Sequence, residues 1–109
     1  MTKVFIIGEA GINHNGKVYK AKKLINIAKK AGVDAIKFQL FNSDYFVNKS
    51  KLPKYHKIFK KLEFSEKQWK KILNHAKKRK LKLFFSVFDV PSLETVQKFK
   101  LKLVKIPSG

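Results

Sequence analysis

Residues able to do acid–base or binding chemistry follow directly on the first apolar segment of the chain. That segment is Phe5-Ile6-Ile7, and the stretch after it is Gly8-Glu9-Ala10-Gly11-Ile12-Asn13-His14-Asn15-Gly16. A carboxylate, two amides and an imidazole can exchange protons or bind hydroxyl groups, and glycines let a ligand approach the backbone closely. The pattern predicts a short buried strand at 5–7 and, after it, a ligand-binding loop that contains Glu9.

The same arrangement, a short apolar run followed at once by polar residues, occurs three more times. These segments are Ala35–Gln39, Leu83–Asp89 and Leu103–Gly109, and helical patterns separate them. Alternating strands and helices predict an α/β fold with a parallel sheet, whose strand carboxyl ends share one edge. Barrel enzymes hold their active sites at this edge, so we expect one rim to collect the polar residues. They are Glu9, Lys37, Gln39, Ser86, Asp89, Lys105 and Ser108.

Helical spacing of apolar residues marks the segments between these strands. One helix is predicted over about 17–31 and ends at Gly32, and Asn15 is a candidate cap for its start. Another is predicted over about 92–100, with Pro91 near its start. Its inward-facing residues are predicted to be Leu93, Val96 and Phe99.

The helix before the third strand has a complete start signal. Ser65 and Gln68 have the spacing of a capping box, and Phe64 and Trp69 that of a hydrophobic staple. The connection that precedes it, 41–64, is longer than most loops and rich in aromatic residues. We expect it to lie on the rim as a lid, with a short helix near Tyr55 to Lys61.

The blocks GEAGINHNG, AIKFQLF, FFSVFD and VKIPSG, in this order, resemble the N-terminal half of the sialic acid synthase family. These enzymes condense phosphoenolpyruvate with an amino sugar to make nonulosonic acids. The resemblance extends from Lys3 to Gly109 and is weakest between Asn42 and Leu62. It implies a partial TIM (β/α)8 barrel, the first four parallel strands with their helices. Because a complete barrel takes about 250 residues, we expect 1–109 to be an incomplete N-terminal part of a synthase barrel.

The resemblance implies that four residues bind phosphoenolpyruvate: Lys37, Ser86, Lys105 and Ser108. Each lysine interrupts an apolar strand, where an unpaired ammonium is costly to bury, so each needs an anion or water beside it. A ligand with a phosphate and a carboxylate requires several cationic or hydroxyl donors at one place. The family usually has threonine and proline where this chain has Ser86 and Val87, an exchange that retains the hydroxyl.

The resemblance also implies that Glu9 binds the hydroxyl groups of the acylated sugar and assists proton movement near its aldehyde. A structural ion pair of Glu9 with Lys37 or Lys105 is the alternative. Asn13 and His14 either contact the sugar or shape the loop. Gln39 and Asp89 are expected to position the lysines and the loop ends.

Family members use a divalent metal ion, manganese or magnesium, held by histidines of the second half of the barrel. The resemblance therefore implies that the metal ligands are absent from this chain. Its histidines, His14, His56 and His75, fall in three different predicted elements without ligand spacing, and cysteine is absent.

The charge balance suggests a polyanion partner at first sight. The net charge is +19, from 26 basic and 7 acidic residues. Arg79 is the only arginine, whereas base readout and bidentate phosphate contacts favour arginine. Most lysines fall on the outer faces of predicted helices, which indicates a solvated surface without a specific nucleic-acid partner. The chain starts directly in a strand and has no apolar run long enough for a membrane span, so we expect a cytoplasmic protein.

Three functions are compatible with these patterns. The first is a fragment of a synthase that joins phosphoenolpyruvate to an N-acylated mannosamine-type sugar with release of phosphate, inactive by itself. The others are an inactive half-barrel that associates with itself or a second half, and a basic polyanion-binding module. Related sugar-phosphate synthases are an alternative within the enzyme class. Self-association is expected because an open inner barrel face would expose Ile36, Phe38, Phe84 and Val104.

Overall fold

The computed structural model describes residues 3–108, so Gly109, the last residue of the fourth predicted segment, lies outside the described residues. Four parallel strands form one sheet in the order β1-β2-β3-β4, and helices connect them. The α/β prediction with the first strands of a barrel is confirmed. The strands are β1 (Ile7–Gly11), β2 (Ala35–Leu40), β3 (Lys82–Val87) and β4 (Val104–Lys105). The helices are α1 (Val18–Ala31), α2 (Ser43–Phe46), α3 (Pro53–Leu62), α4 (Glu66–Lys78) and α5 (Val90–Lys98).

Alternation along the strands decides which side chains enter the core. Ile36 and Phe38 are buried in the core cluster that includes Ile25 of α1 and Ile72 of α4. Val104 pairs with Phe85 and packs against the same cluster. The prediction that these three residues lie on an open inner face is therefore wrong. Successive strand residues point to opposite faces, so Phe84, which is paired with Lys37, lies on the other face. It is only 4% exposed, so the prediction that an open inner face exposes it is also wrong.

The first strand begins later than its apolar run predicts. Phe5, Ile6 and Ile7 are 49%, 53% and 44% exposed, so the prediction of a buried strand at 5–7 is wrong. The backbone N–H of Ile6 donates to the carboxylate of Asp34 at 2.7 Å instead of entering the ladder. In the described sheet β1 has a neighbour on one side only, and the burial of its first residues is incomplete for that reason. The ladder runs through Glu9, which makes this residue part of the strand.

The helix ends agree with the sequence at α4 and differ at α1. The Ser65 hydroxyl accepts from the Gln68 N–H at 3.1 Å and the Gln68 side chain accepts from the Ser65 N–H at 2.9 Å, which confirms the capping box. Gly32 ends α1 at φ 83°, as predicted. Asn15 does not cap α1: it has φ 54°, and Lys17 stands at the cap without a side-chain bond.

The remaining helix, α5, starts two residues before the predicted position. Its cap is Asp89, two residues after β3 ends at Val87. Val96 is buried and Phe99 packs against the core, as expected, but Leu93 is 38% exposed. The buried residues of α5 are Ser92 and Val96, and Leu93 is turned about 100° around the helix from Ser92, at the edge of that face.

Two helices, α2 and α3, occupy the long connection, and the expected helix near 55–61 is confirmed. Phe46 of α2 and Phe59 of α3 lie 5.1 Å apart by ring centroids, and both pack against Phe41. Phe46 also contacts Phe88 after β3, at 5.2 Å. These edge-on aromatic contacts hold the connection against the carboxyl end of the sheet.

Lysines cover the outer helix faces as predicted, with Lys23 and Lys30 exposed on α1 and Lys70 and Lys77 exposed on α4. Lys22 departs from the pattern because it is half-buried, and its charge acts on His75 of α4. No helix within residues 3–108 is both long enough and apolar enough to cross a membrane.

Candidate active site

An open cleft of about 450 Å³ lies at the carboxyl ends of the strands. It contains six of the seven polar residues predicted for the rim, and Asn13 lies beside them. The exception is Asp89. The described lining residues are Glu9, Ala10, Gly11, Ile12, Asn13, Lys37, Gln39, Ser86, Phe88, Lys105, Pro107 and Ser108. Parallel topology thus brings together residues that are up to a hundred positions apart in the chain.

The cleft residues stand in two layers set by the strand register. Glu9 is paired with Lys37 in the lower layer, and Ser86 is paired with both Gln39 and Lys105 in the upper layer. The Lys37 Nζ lies 2.8 Å from the Glu9 Oε2. The Lys37 side chain is only 16% exposed, so the Glu9 carboxylate, itself 55% exposed, is the counter-charge that makes its burial tolerable.

The backbone of Gly11 calls for glycine, although a side chain would find ordinary contact distances there. A Cβ at this position would lie 3.4 Å from the Glu9 Oε1 and 3.7 Å from the Gln39 Nε2. The residue also has φ +55°, and the register shifts between Glu9 and Gly11. Glycine is the residue that adopts this left-handed conformation without strain.

The upper layer combines an exposed cation with hydroxyl groups. Lys105 is exposed and forms no ion pair within 4 Å in the described part of the chain. Ser86 is buried at 5% exposure beside it, and Ser108 is exposed at the mouth. An ammonium next to hydroxyl donors is suited to bind an oxyanion.

Asp89 holds two chain segments together outside the cleft. Its Oδ1 accepts from the Ser92 N–H at 2.8 Å, which caps α5, and its Oδ2 accepts from the Asn42 N–H at 2.7 Å. The carboxylate therefore joins the end of β2 to the start of α5 and sets the position of both loops.

His14 lies under the loop and not in the cleft. Its ring is fully buried, 4.3 Å from the Phe64 ring and 6.0 Å from the Trp69 ring by centroids. The His14 Nδ1 accepts from the Gly16 N–H at 2.9 Å, and the Nε2 has no hydrogen-bond partner among residues 3–108. Burial lowers the pKa of His14 to about 4, so the imidazole is neutral at pH 7.

We expect acid to destabilise the fold through His14. Its pKa is about 4 in the folded chain and 6.5 in the unfolded one, so between these values the unfolded state binds the extra proton. The free energy of unfolding is therefore highest above pH 6.5. It decreases by about 3 kcal/mol as the pH falls to about 4. Urea unfolding of the wild type and of His14→Phe at several pH values between 6.5 and 4 measures this decrease. The variant should show a flatter profile, and parallel profiles would contradict the assignment.

Three apolar cleft residues that follow strand ends are not singled out by the sequence: Ile12, Phe88 and Pro107. Phe88 and Pro107 each follow the last residue of a strand closely, the position from which the polar residues were selected. A rule based on position alone, without regard to polarity, would have found them.

The donor set within residues 3–108 does not fit a metal site. No three His, Cys, Asp or Glu residues there lie close enough together to hold an ion. The three histidines are engaged elsewhere: His56 contacts the Asp44 Oδ1 at 2.7 Å, and His75 contacts the Asn26 Oδ1 at 2.7 Å. The hydrogen bond from His56 and then the charge of Lys60 lower the pKa of Asp44.

The motifs and the geometry agree with the comparison to protein families. Residues 24–109 match the model described as the NeuB family. The chain belongs to the NeuB family. It is 38% identical over 121 residues to N,N'-diacetyllegionaminic acid synthase of Campylobacter jejuni, an alignment that covers 100% of the chain and 36% of the relative. It is 37% identical over 117 residues to the synthase of the same name from Legionella pneumophila, covering 96% and 33%.

The fold matches a solved member of the same group. The crystal structure of the N-acetylneuraminic acid (sialic acid) synthetase from Leptospira borgpetersenii in complex with citrate superposes with a TM-score of 0.81 at 31% identity. The match covers 96% of this chain and 36% of that one. This NeuB chain thus spans about a third of the length of the relatives it matches.

Proposed function

We propose that this NeuB chain supplies the phosphoenolpyruvate site, and part of the amino-sugar site, of a nonulosonic acid synthase. The observation that supports it is the convergence of Lys37, Ser86, Lys105 and Ser108 in one cleft beside Glu9. The family and the named relatives favour this chemistry over a polyanion-binding module, because the cleft groups are those an anionic carbon donor requires.

The two lysines have different tasks in this proposal. Lys105, exposed and without a counter-ion in the described chain, binds the phosphate together with the Ser86 and Ser108 hydroxyls. Lys37 lies in the lower layer, mostly buried and paired with Glu9 through one of its three ammonium hydrogens. In this proposal its remaining hydrogens bind the carboxylate of the donor. Placing the cations in separate layers lets one extended dianion contact both.

Glu9, Asn13 and Gln39 bind the sugar hydroxyls. The Glu9 carboxylate contacts Lys37 through Oε2 and remains more than half exposed, so it can also accept a hydrogen bond from a sugar. Asn13 and Gln39 offer amide donors and acceptors next to it. Glu9 is also the group positioned to assist proton transfer near the aldehyde.

The proposed reaction forms one carbon–carbon bond and replaces the carbon–oxygen bond to phosphate by a carbon–oxygen bond to water. The enol carbon attacks the sugar aldehyde, water adds to the adjacent alkene carbon, and phosphate leaves with the oxygen that joined it to that carbon. A divalent metal ion, manganese or magnesium, would polarise the aldehyde. Its ligands would come from outside the described residues, because the donor set here does not fit an ion.

A closed barrel takes eight strands, and the described sheet contains four. We propose that the other strands come from a complementing second half or a second copy of the chain. Apolar residues flank both edge strands, Val4 before β1 and Ile106 after β4, each 72% exposed, which favours association over a free monomer.

A chimaera tests the proposed function. The chain replaces its matching segment in the Campylobacter jejuni N,N'-diacetyllegionaminic acid synthase, and phosphate release is measured with phosphoenolpyruvate, the amino sugar of that synthase and manganese. We expect turnover from the chimaera and none from the 109-residue chain alone. A folded chimaera that lacks turnover but binds phosphoenolpyruvate would restrict the proposal to binding. Absence of both would refute it.

A further inference from the structure

We propose that the surface between α1 and α4 binds the phosphodiester backbone of a nucleic acid without reading its sequence. This surface, the α1–α4 seam, consists of Lys22, Lys29, Lys78, Arg79 and Lys80. The seam does not overlap the cleft, and the inference holds whether or not the proposed function is correct.

Contacts between the two helices place these cations together. His75 of α4 and Asn26 of α1 are joined by a 2.7 Å hydrogen bond across the interface. Nearby, the Lys29 Nζ donates to the carbonyl oxygen of Lys80 at 3.2 Å. The positive charges of Lys22, Lys78 and Arg79 all lower the pKa of His75, so these three side chains lie near the same ring.

The positive charge of the seam is not neutralised within the described chain. None of its five cations has a carboxylate within 4 Å among residues 3–108. The sequence of α1 contains no acid, and the one acid of α4, Glu66, lies at the far end of that helix, 3.1 Å from Lys98. The two helix C-termini contribute only about half a negative charge each, so the seam remains cationic.

His75 responds to this uncompensated charge. Burial is the main cause that lowers the pKa of His75, and the charges of Lys22, Arg79 and Lys78 lower it further. An anion bound to the seam would offset the charges of these three residues and raise the pKa of His75. The His75 pKa therefore reports whether the seam is occupied.

The spacing of the cations fits a polymer better than a single phosphate. Lys22 and Lys29 are seven residues apart on one helix face, or about 10 Å along the axis. Lys78, Arg79 and Lys80 continue the positive surface on the other side of the seam. With one arginine among lysines, the surface supplies point charges and little base-edge recognition, which indicates binding independent of sequence.

The seam and the cleft share no residue. Lys29 precedes β2 and Lys80 precedes β3, so this part of the seam is at the amino ends of the strands, and Lys22 lies about two turns before Lys29 on α1. The cleft is at the carboxyl ends. Both can therefore be occupied at the same time.

Two triple variants of the 109-residue chain test the seam. Lys22→Gln/Lys78→Gln/Arg79→Gln removes three seam charges, and Lys51→Gln/Lys54→Gln/Lys57→Gln removes three exposed charges around the start of α3. Binding of a fluorescent mixed-sequence single-stranded oligonucleotide is measured against salt, and circular dichroism verifies folding. We expect the seam variant to bind about tenfold or more weakly. The slope of the logarithm of its binding constant against the logarithm of salt concentration should be smaller by about 2. The control should change less than about threefold, since diffuse charge contributes weakly at physiological salt.

A second measurement follows the His75 pKa by proton NMR, which should rise when the oligonucleotide binds the wild-type chain. The exposed single variant Lys78→Gln replaces the triple variant if the latter unfolds. Equal losses in both triple variants, or a loss caused by Lys37→Gln/Lys105→Gln, would overturn the seam as the site. Tighter binding to phosphatidylserine vesicles than to the oligonucleotide would overturn the choice of nucleic acid.

Discussion

Replacing Lys37 by methionine is expected to lower kcat/KM for phosphoenolpyruvate by about 10³-fold in the active chimaera, about 4 kcal/mol of transition-state stabilisation. The Lys37 ammonium is mostly buried and lies 2.8 Å from Glu9. Removal of the cation leaves the Glu9 carboxylate facing the incoming dianion, so attraction is replaced by repulsion between like charges. Methionine preserves the length and most of the packing of the side chain.

Steady-state phosphate release measures this loss, and Lys67→Met is the matched control. Lys67 is exposed on α4 and forms no ion pair within 4 Å among residues 3–108, so its variant should retain activity within about twofold. A Lys37 variant as active as the Lys67 variant would remove Lys37 from the phosphoenolpyruvate site.

Gly16→Ala is expected to destabilise the chain by about 3 to 5 kcal/mol, enough to unfold a marginal domain. Gly16 has φ +74°, and a Cβ there would overlap the backbone carbonyl oxygen of Lys61 at the end of α3. The loop and the helix would have to separate, because neither backbone atom can rotate away. The same movement would disturb the Gly16 N–H bond to His14.

Gly32→Ala is the control for this variant. Gly32 has a similar φ of +83°, but a Cβ there meets nothing within 4 Å. It isolates the strain of the left-handed backbone, about 1 to 2 kcal/mol. Urea denaturation of both variants gives the difference that is due to the Lys61 contact. Equal destabilisation would show that α3 does not pack on this loop in solution.

Local patterns were sufficient where a short-range interaction decides the structure. The Ser65–Gln68 capping box and the left-handed Gly32 each depend on residues within one turn of helix, and both were predicted. Asn15 was wrongly predicted as a cap. It has φ 54°, and the loop around it contacts α3, where a Cβ on Gly16 would overlap the Lys61 carbonyl. That contact joins segments 45 residues apart, a separation beyond the reach of a local pattern.

The sequence by itself determined the α/β class and the family, and it placed Glu9, Lys37, Gln39, Ser86, Lys105 and Ser108 on a common rim. It could do so because parallel topology follows from the order of the elements, and each strand end then has a known side. The tertiary structure decided that Asp89 caps α5 and that Lys37 pairs with Glu9. It also decided that Ile36 and Phe38 face the helices and that His14 is buried under the loop. These outcomes depend on strand register and on packing between distant segments, which fix the side to which each side chain points.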